Sequence, residues 1–216
     1  MRKLAVIVAV VLFMFISQPA NAAVTGLATS TLLPTPQVTG IVWAATVANG
    51  IVYGTGRFDK ARPSGVAPGG TGEVTRSNLV AFDIVTGKLT TFNHSLNAEG
   101  KAIEVSRDGS TLFVGGLFTT VDGKPRSHLA AFSTSTGALL STYATGPNGN
   151  VLSLATATNG KLYIGGTFSK VGSTTKKNIA AYTAAPMVKN IIARAAPILG
   201  VEPKFGDDGS AMLVSY

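Results

Sequence analysis

One heptapeptide constrains this chain more than any other feature. Leu112-Phe113-Val114-Gly115-Gly116-Leu117-Phe118 returns fifty residues later as Leu162-Tyr163-Ile164-Gly165-Gly166-Thr167-Phe168. An altered copy, Val52-Tyr53-Gly54-Thr55-Gly56-Arg57-Phe58, precedes it by sixty residues. Self-similarity at this period, in copies rich in strand formers, points to stacked β units that bury their apolar faces against one another. Paired glycines inside an apolar strand lose entropy and pack nothing. Their recurrence at Gly115-Gly116 and Gly165-Gly166, with Gly54 and Gly56 in the altered copy, therefore marks a backbone demand. A bulge or the close approach of a neighbouring unit would create it.

Around this stretch the repeat reads as four strands. The first covers residues 41–45, 102–105 and 151–154, and Asn49-Gly50, Asp108-Gly109 or Asn159-Gly160 follows it. Asx-Gly supplies the positive φ of a tight hairpin. The glycine-bearing stretch is the second strand. The third, at 78–82, 128–132 and 178–182, places an aromatic at Phe82, Phe132 and Tyr182. Thr86-Gly87 and Thr136-Gly137 then turn into a fourth strand at 88–92 and 138–143. Four hairpin-linked antiparallel strands make one blade of a β-propeller, so the fold is expected to be all-β.

At these residues the chain resembles a known family. The apolar run ending in Gly-Gly, with an aromatic two residues on, is similar to the kelch-type blade. The succession Gly-Gly-x-Phe, Asn/His-apolar-Ala-Ala-Phe, Thr-Gly resembles the propeller repeats of secreted bacterial surface proteins. The resemblance spans residues 38–183 and lacks the Tyr and Trp of the later kelch strands, Trp43 being the only tryptophan. It implies a secreted, non-catalytic binding module. The alternative it implies is a fragment of a propeller-type carbohydrate-active or oxidative enzyme whose catalytic residues lie in further blades.

Residues 1–22 read as a secretory signal peptide: Arg2 and Lys3, an apolar run over 4–16, a break at Ser17-Gln18-Pro19 and an Ala20-Asn21-Ala22 cleavage site. The run is shorter than the ~20 residues that span a bilayer, so no membrane span is expected after cleavage. The expected location is the extracellular medium or the cell surface. Residues 23–37, rich in Thr, Ser and Pro, form a lead-in. Blades are expected at 38–98, 99–148 and 149–198, with a partial blade at 199–216, where Asp208-Gly209-Ser210 echoes Asp108-Gly109-Ser110. Residues 187–199 are compatible with a strand or a short helix. Rings close with about 4–8 blades. An incomplete ring or a fragment is therefore expected, with an open blade edge through which the chain can self-associate.

Charge and loops point to the face where a ligand would sit. The chain carries 18 Lys and Arg against 10 Asp and Glu, and has no cysteine. Arg76, Arg126 and Lys176 recur fifty apart in the loops between second and third strands, joined by Arg57, Arg62, Lys124 and Lys177. Such an arc would attract an acidic extracellular polysaccharide, a wall polyanion or a surface protein. The first of these loops, 59–77, is ten residues longer than its counterparts and rich in Pro and Gly, which makes it a candidate for recognition. Nucleic acid is a poor partner for an exported chain without basic residues interleaved with aromatics.

Catalytic material is sparse. His94 and His128 are the only histidines, and His128 fills the slot of Asn78 and Asn178. Asp59, Asp83, Glu104, Asp108 and Asp122 show no acid–base spacing, and Gly206-Asp207-Asp208-Gly209 aligns with a hairpin turn rather than a calcium loop. No catalytic residue, metal or cofactor is therefore assigned. Trp43, in a first strand, is assigned to the core.

Overall fold

A computed structural model describes residues 32–183, 202–205 and 211–214. The signal peptide, most of the lead-in and residues 187–199 lie outside the described residues. The first repeat contains β1 (Gln37–Val38), β2 (Ile41–Ala48), β3 (Ile51–Arg57), β4 (Lys60–Arg62), β5 (Val74–Thr75) and β6 (Leu79–Asp83). The second contains β7 (Gly100–Val105), β8 (Thr111–Gly116), β9 (Thr120–Val121), β10 (Lys124–Pro125) and β11 (Leu129–Ser133). The third contains β12 (Val151–Thr156), β13 (Lys161–Gly166), β14 (Lys170–Val171), β15 (Thr174–Thr175) and β16 (Ile179–Thr183). A hairpin of β17 (Glu202–Phe205) and β18 (Ala211–Val214) follows, and no helix occurs among the described residues.

The main sheet of each repeat is antiparallel, with its three long strands in the order β2-β3-β6, β7-β8-β11 and β12-β13-β16, and the short strands of the second-to-third-strand loops form small sheets of their own, β1-β4-β5, β9-β10 and β14-β15. The first strands of successive sheets are neighbours, β2 beside β7 and β7 beside β12, as at the hub of a propeller. The fold is all-β and propeller-like. The fourth segment of each of the first two blades runs beside the third strand but joins it by a single bridge, Phe82 to Leu89 and Phe132 to Leu139. β17 and β18 pair antiparallel, from Glu202 with Val214 to Phe205 with Ala211, one residue out of step with the β7–β8 pairing.

The glycine pairs have a direct physical cause. In every blade the first strand carries a bulge opposite them, between Val42 and Ala44, Gly100 and Ala102, and Val151 and Ser153. The bulge drives the strand's backbone into its partner. A Cβ at Gly56, Gly116 or Gly166 would overlap the carbonyl oxygen of Ile41, Glu99 or Asn150. In register, Thr55 stands where the other copies have the first glycine of the pair: it pairs with Ala44 as Gly115 pairs with Ala102 and Gly165 with Ser153.

Turn chemistry departs from expectation in two blades. Asn49 and Gly50 both take positive φ (51° and 75°), the two-residue hairpin that Asx-Gly predicts. At Asp108-Gly109 and Asn159-Gly160 only the glycine does, because the loops are longer and close through Ser106 to Thr111 and Ala157 to Lys161. The residue that opens the third strand is left-handed in every blade: Asn78 at φ 67°, His128 at 61° and Asn178 at 65°. Its carbonyl accepts from the amide of Gly56, Gly116 or Gly166.

The core lies between blades. Tyr53, Leu79 and Ala81 of the first pack against Ile103, Leu112, Val114, Ala130 and Phe132 of the second. Phe113, Leu129 and Ala131 of the second pack in the same way against Val151, Leu162, Ile164 and Ala180 of the third. Burying a side chain of this size contributes about 1.5–3 kcal/mol. Without cysteines, these interfaces carry the stability.

Candidate functional site

The end of the sheets that bears the bulges and the second-to-third-strand loops collects the unusual surface chemistry. Trp43 is the extra residue of the β2 bulge, and bulges re-aim side chains. It is not in the core: 47% of it is exposed. Its indole Nε1 donates to Glu99 Oε2 at 2.9 Å. Lys101, the equivalent bulge residue of the second blade, donates to the same oxygen at 2.9 Å and sits 4.2 Å from the Trp43 ring centroid. Hydrogen bonds from Lys101 and then Trp43, with the charges of Lys101 and Arg57, hold the Glu99 carboxyl below the usual carboxylate range against a partial burial that opposes them. One blade's bulge thus supplies an aromatic plate and the next blade's a cation. A single carboxylate fixes both, and the third blade places Leu152 at the corresponding position.

The basic arc predicted from spacing divides in two. Arg76 and Arg126 are buried, and their guanidinium groups face inward. Arg76 Nη1 donates to the Thr75 carbonyl at 2.9 Å and Nη2 to that of Thr90 at 3.0 Å. Arg126 repeats the arrangement with Pro125 at 2.7 Å and Leu140 at 3.0 Å. Each bridges a loop to the fourth segment of its own blade, and burial pushes the Arg76 guanidinium below its ordinary range. Their fifty-residue spacing therefore carries a repeated structural bond, and Arg76 also lines a cleft beside the long first loop.

Lys124, Lys176 and Lys177 stand exposed on their own loops. Arg57 is exposed and close enough to act on Glu99, so it joins the Trp43 cluster. Arg62 donates from Nε to the Val66 carbonyl at 2.8 Å inside the long first loop. That loop is folded: Lys60 pairs with Glu73 at 3.0 Å, and Glu73 accepts from the Gly69 amide at 3.0 Å. With Pro34 and residues 86–89 it lines an open cleft of about 470 Å³ in the first blade.

His94 is bonded on both ring nitrogens within the fold. His94 Nδ1 lies 2.6 Å from Asp122 Oδ2 and Nε2 lies 2.7 Å from the Gly137 carbonyl. Its ring packs against Phe92 and Phe132, with centroids 4.8 and 4.6 Å away. It pins the link between blades to two turns of the second blade. Among the described residues no three His, Asp or Glu side chains come together as metal ligands. Sequence reasoning missed Glu99 and Lys101 and misplaced Trp43. The signal that could have found them was the bulge that the paired glycines imply.

No protein-family model matches the sequence, and no curated protein matches it. Among solved structures the chain is similar to the computationally designed Ika4 protein, at 15% identity and TM-score 0.37 over 69% of this chain and 96% of that one. It is also similar to the WD40 β-propeller domain of Doa1, at 15% identity and TM-score 0.34 over 66% of this chain and 50% of that one. A chain of the mitotic checkpoint complex matches at 13% identity and TM-score 0.32, over 67% of this chain and 55% of that one. The chain spans about half the length of the last two.

Proposed function

We propose that this chain is a secreted, kelch-like propeller module that binds rather than catalyses, and that its ligand is an anionic extracellular polymer such as an acidic glycan or wall polyanion. The observation that carries the reading is Trp43. A tryptophan left 47% exposed on a strand bulge presents a broad aromatic face with a polar handle to solvent. Its hydrogen bond to Glu99 holds the ring, Lys101 lies over one of its faces, and the charge of Arg57 acts on the same Glu99. An aromatic plate bordered by cations suits a sugar ring that carries carboxylates: the ring stacks and the charges pair. Lys124, Lys176 and Lys177, at the same end, extend the positive field along a longer polymer.

Trp43 also provides the assay, because it is the only tryptophan in the chain. Titration with polygalacturonate is expected to change its fluorescence saturably, salt is expected to weaken the effect, and uncharged dextran is expected to leave the spectrum unchanged. Calorimetry on Trp43→Ala is expected to show binding lost while the unfolding midpoint is kept. A flat titration with both polymers, or undiminished binding by Trp43→Ala, would overturn the reading.

A further inference from the structure

The two blade interfaces obey one rule. The leading face of the first blade offers Tyr53, Thr55, Leu79 and Ala81, and that of the second offers Phe113, Gly115, Leu129 and Ala131. All eight are buried by the blade that follows. The receiving blade answers with the residue that precedes its bulge, Gly100 or Val151. Sizes are matched across each junction in opposite senses. Thr55 stands over Gly100, Val151 stands over Gly115, and a Cβ on either glycine would overlap the side chain facing it.

The third blade carries the same leading set, Tyr163, Gly165, Ile179 and Ala181, and among the described residues no further blade covers it. Ile179 is 66% exposed and Tyr163 38%, where Leu129 and Phe113 are 0%. The first blade has an equally unused receiving face. Val42 occupies the slot of Gly100 and Val151 and is 43% exposed. That face is furnished down to its link: Val38 pairs with Ala61 as Leu96 pairs with Val121, and Gly87 lies against Pro34 as Gly137 lies against Phe92. An open glycine on one face and an open valine on the other reproduce the Gly115–Val151 combination.

We propose that the third blade of one copy seats on the first blade of a second copy, with Val42 of one chain over Gly165 of the other. The contact is heterologous: each chain keeps one leading and one receiving face, so copies join head to tail. The occupant is a second copy because this interface continues the two already present within the chain, residue for residue.

The test is the mass of the full chain by sedimentation velocity over a range of concentrations, with circular dichroism to verify folding of each variant. The wild type is expected to associate as concentration rises. Ile179→Lys and Gly165→Leu, which damage the leading face, are expected to return the mass to that of one chain. At Gly165 the nearest obstacle within the blade is the Ser153 hydroxyl, which can rotate away, so this variant should fold. Val42→Asp, which damages the receiving face, is also expected to be monomeric. An equimolar mixture of Ile179→Lys with Val42→Asp is expected to give a one-to-one dimer, because each supplies the face the other lacks. Four outcomes overturn the proposal. They are a wild type monomeric at every concentration, association unchanged in all three variants, a mixture that stays monomeric, and a monomer whose unfolding midpoint falls in Ile179→Lys, which would assign the face to the chain's own β17–β18 hairpin.

Discussion

Replacing Gly100 by valine forces a branched side chain onto Thr55. The first atom added would overlap Thr55 Oγ1, with Thr55 Cβ at 3.0 Å and Cγ2 at 3.1 Å, so the neighbouring blade must shift. Overpacking of this kind costs about 1–3 kcal/mol. Thr55→Gly, the opposite single change, loses a buried methyl worth about 0.8 kcal/mol. It also loses the 2.8 Å hydrogen bond from Thr55 Oγ1 to the Asn78 carbonyl. That carbonyl keeps the Gly56 amide as a donor, which limits the loss to about 0.5–1 kcal/mol. A new glycine in a strand adds about 0.5–1 kcal/mol, giving a total of about 2–3 kcal/mol for this single change.

Were the two changes independent, their effects would sum to about 3–6 kcal/mol. The double variant instead installs the arrangement that Gly115 and Val151 already use at the next junction. The valine fills what the threonine vacates, the clash disappears, and the net cost is expected to fall to about 1 kcal/mol. At about 2–4 °C per kcal/mol for a chain of this size, the double variant should melt within about 4 °C of wild type and above both single variants. Thermal and urea unfolding followed by circular dichroism measures all four corners of the cycle. Additivity to within about 0.5 kcal/mol would refute the size-matching rule and remove the ground for pairing Val42 with Gly165.

Arg126→Met should destabilise the second blade by about 1–3 kcal/mol, because the Leu140 carbonyl loses its donor, and Arg126→Lys should not rescue it, since one ammonium cannot span the Pro125 and Leu140 carbonyls. Urea titration of both variants checks this, and full rescue by lysine would contradict the bridging role. The acid limb of stability should report on the turn carboxylates. Amide and hydroxyl donors of Thr86 lower the Asp83 pKa, burial opposes them, and the Val85 amide adds a smaller lowering. At Asp108 burial is the largest single effect and acts upward, but the bonds from Ser106 and Ser110 together outweigh it. Both pKa values lie lower in the folded state, so the stability these groups contribute is present above their unfolded values near 4 and is lost as pH falls through the folded ones. Asp83→Asn with Asp108→Asn should flatten the melting temperature between pH 4 and the acid end. An unchanged slope there would exclude these groups as its source.

The sequence by itself determined the unit and its order. A fifty-residue period, paired glycines and alternating apolar strands specify hairpin-linked blades, because strand periodicity and turn geometry are local properties. The glycine pairs even announced both of their causes: Gly116 accommodates its own blade's bulge, and Gly115 admits Val151 from the next blade. Spacing alone could not tell a repeated structural bond from a repeated surface charge. Arg76 and Arg126 keep the period because each ties the fourth segment of its own blade through its guanidinium, while Lys176 at the same spacing is exposed.

Only the tertiary structure decided what faces outward. Trp43 lies in a strand that reads as core, yet the bulge adds one residue, and one residue reverses the side on which a side chain emerges. Glu99 and Lys101 become its partners only when the second blade docks on the first, fifty-six residues on. The same holds for the match of Thr55 to Gly100 and of Val151 to Gly115. Each residue is ordinary in its own strand, and the pairing arises from packing between blades, which local sequence does not encode.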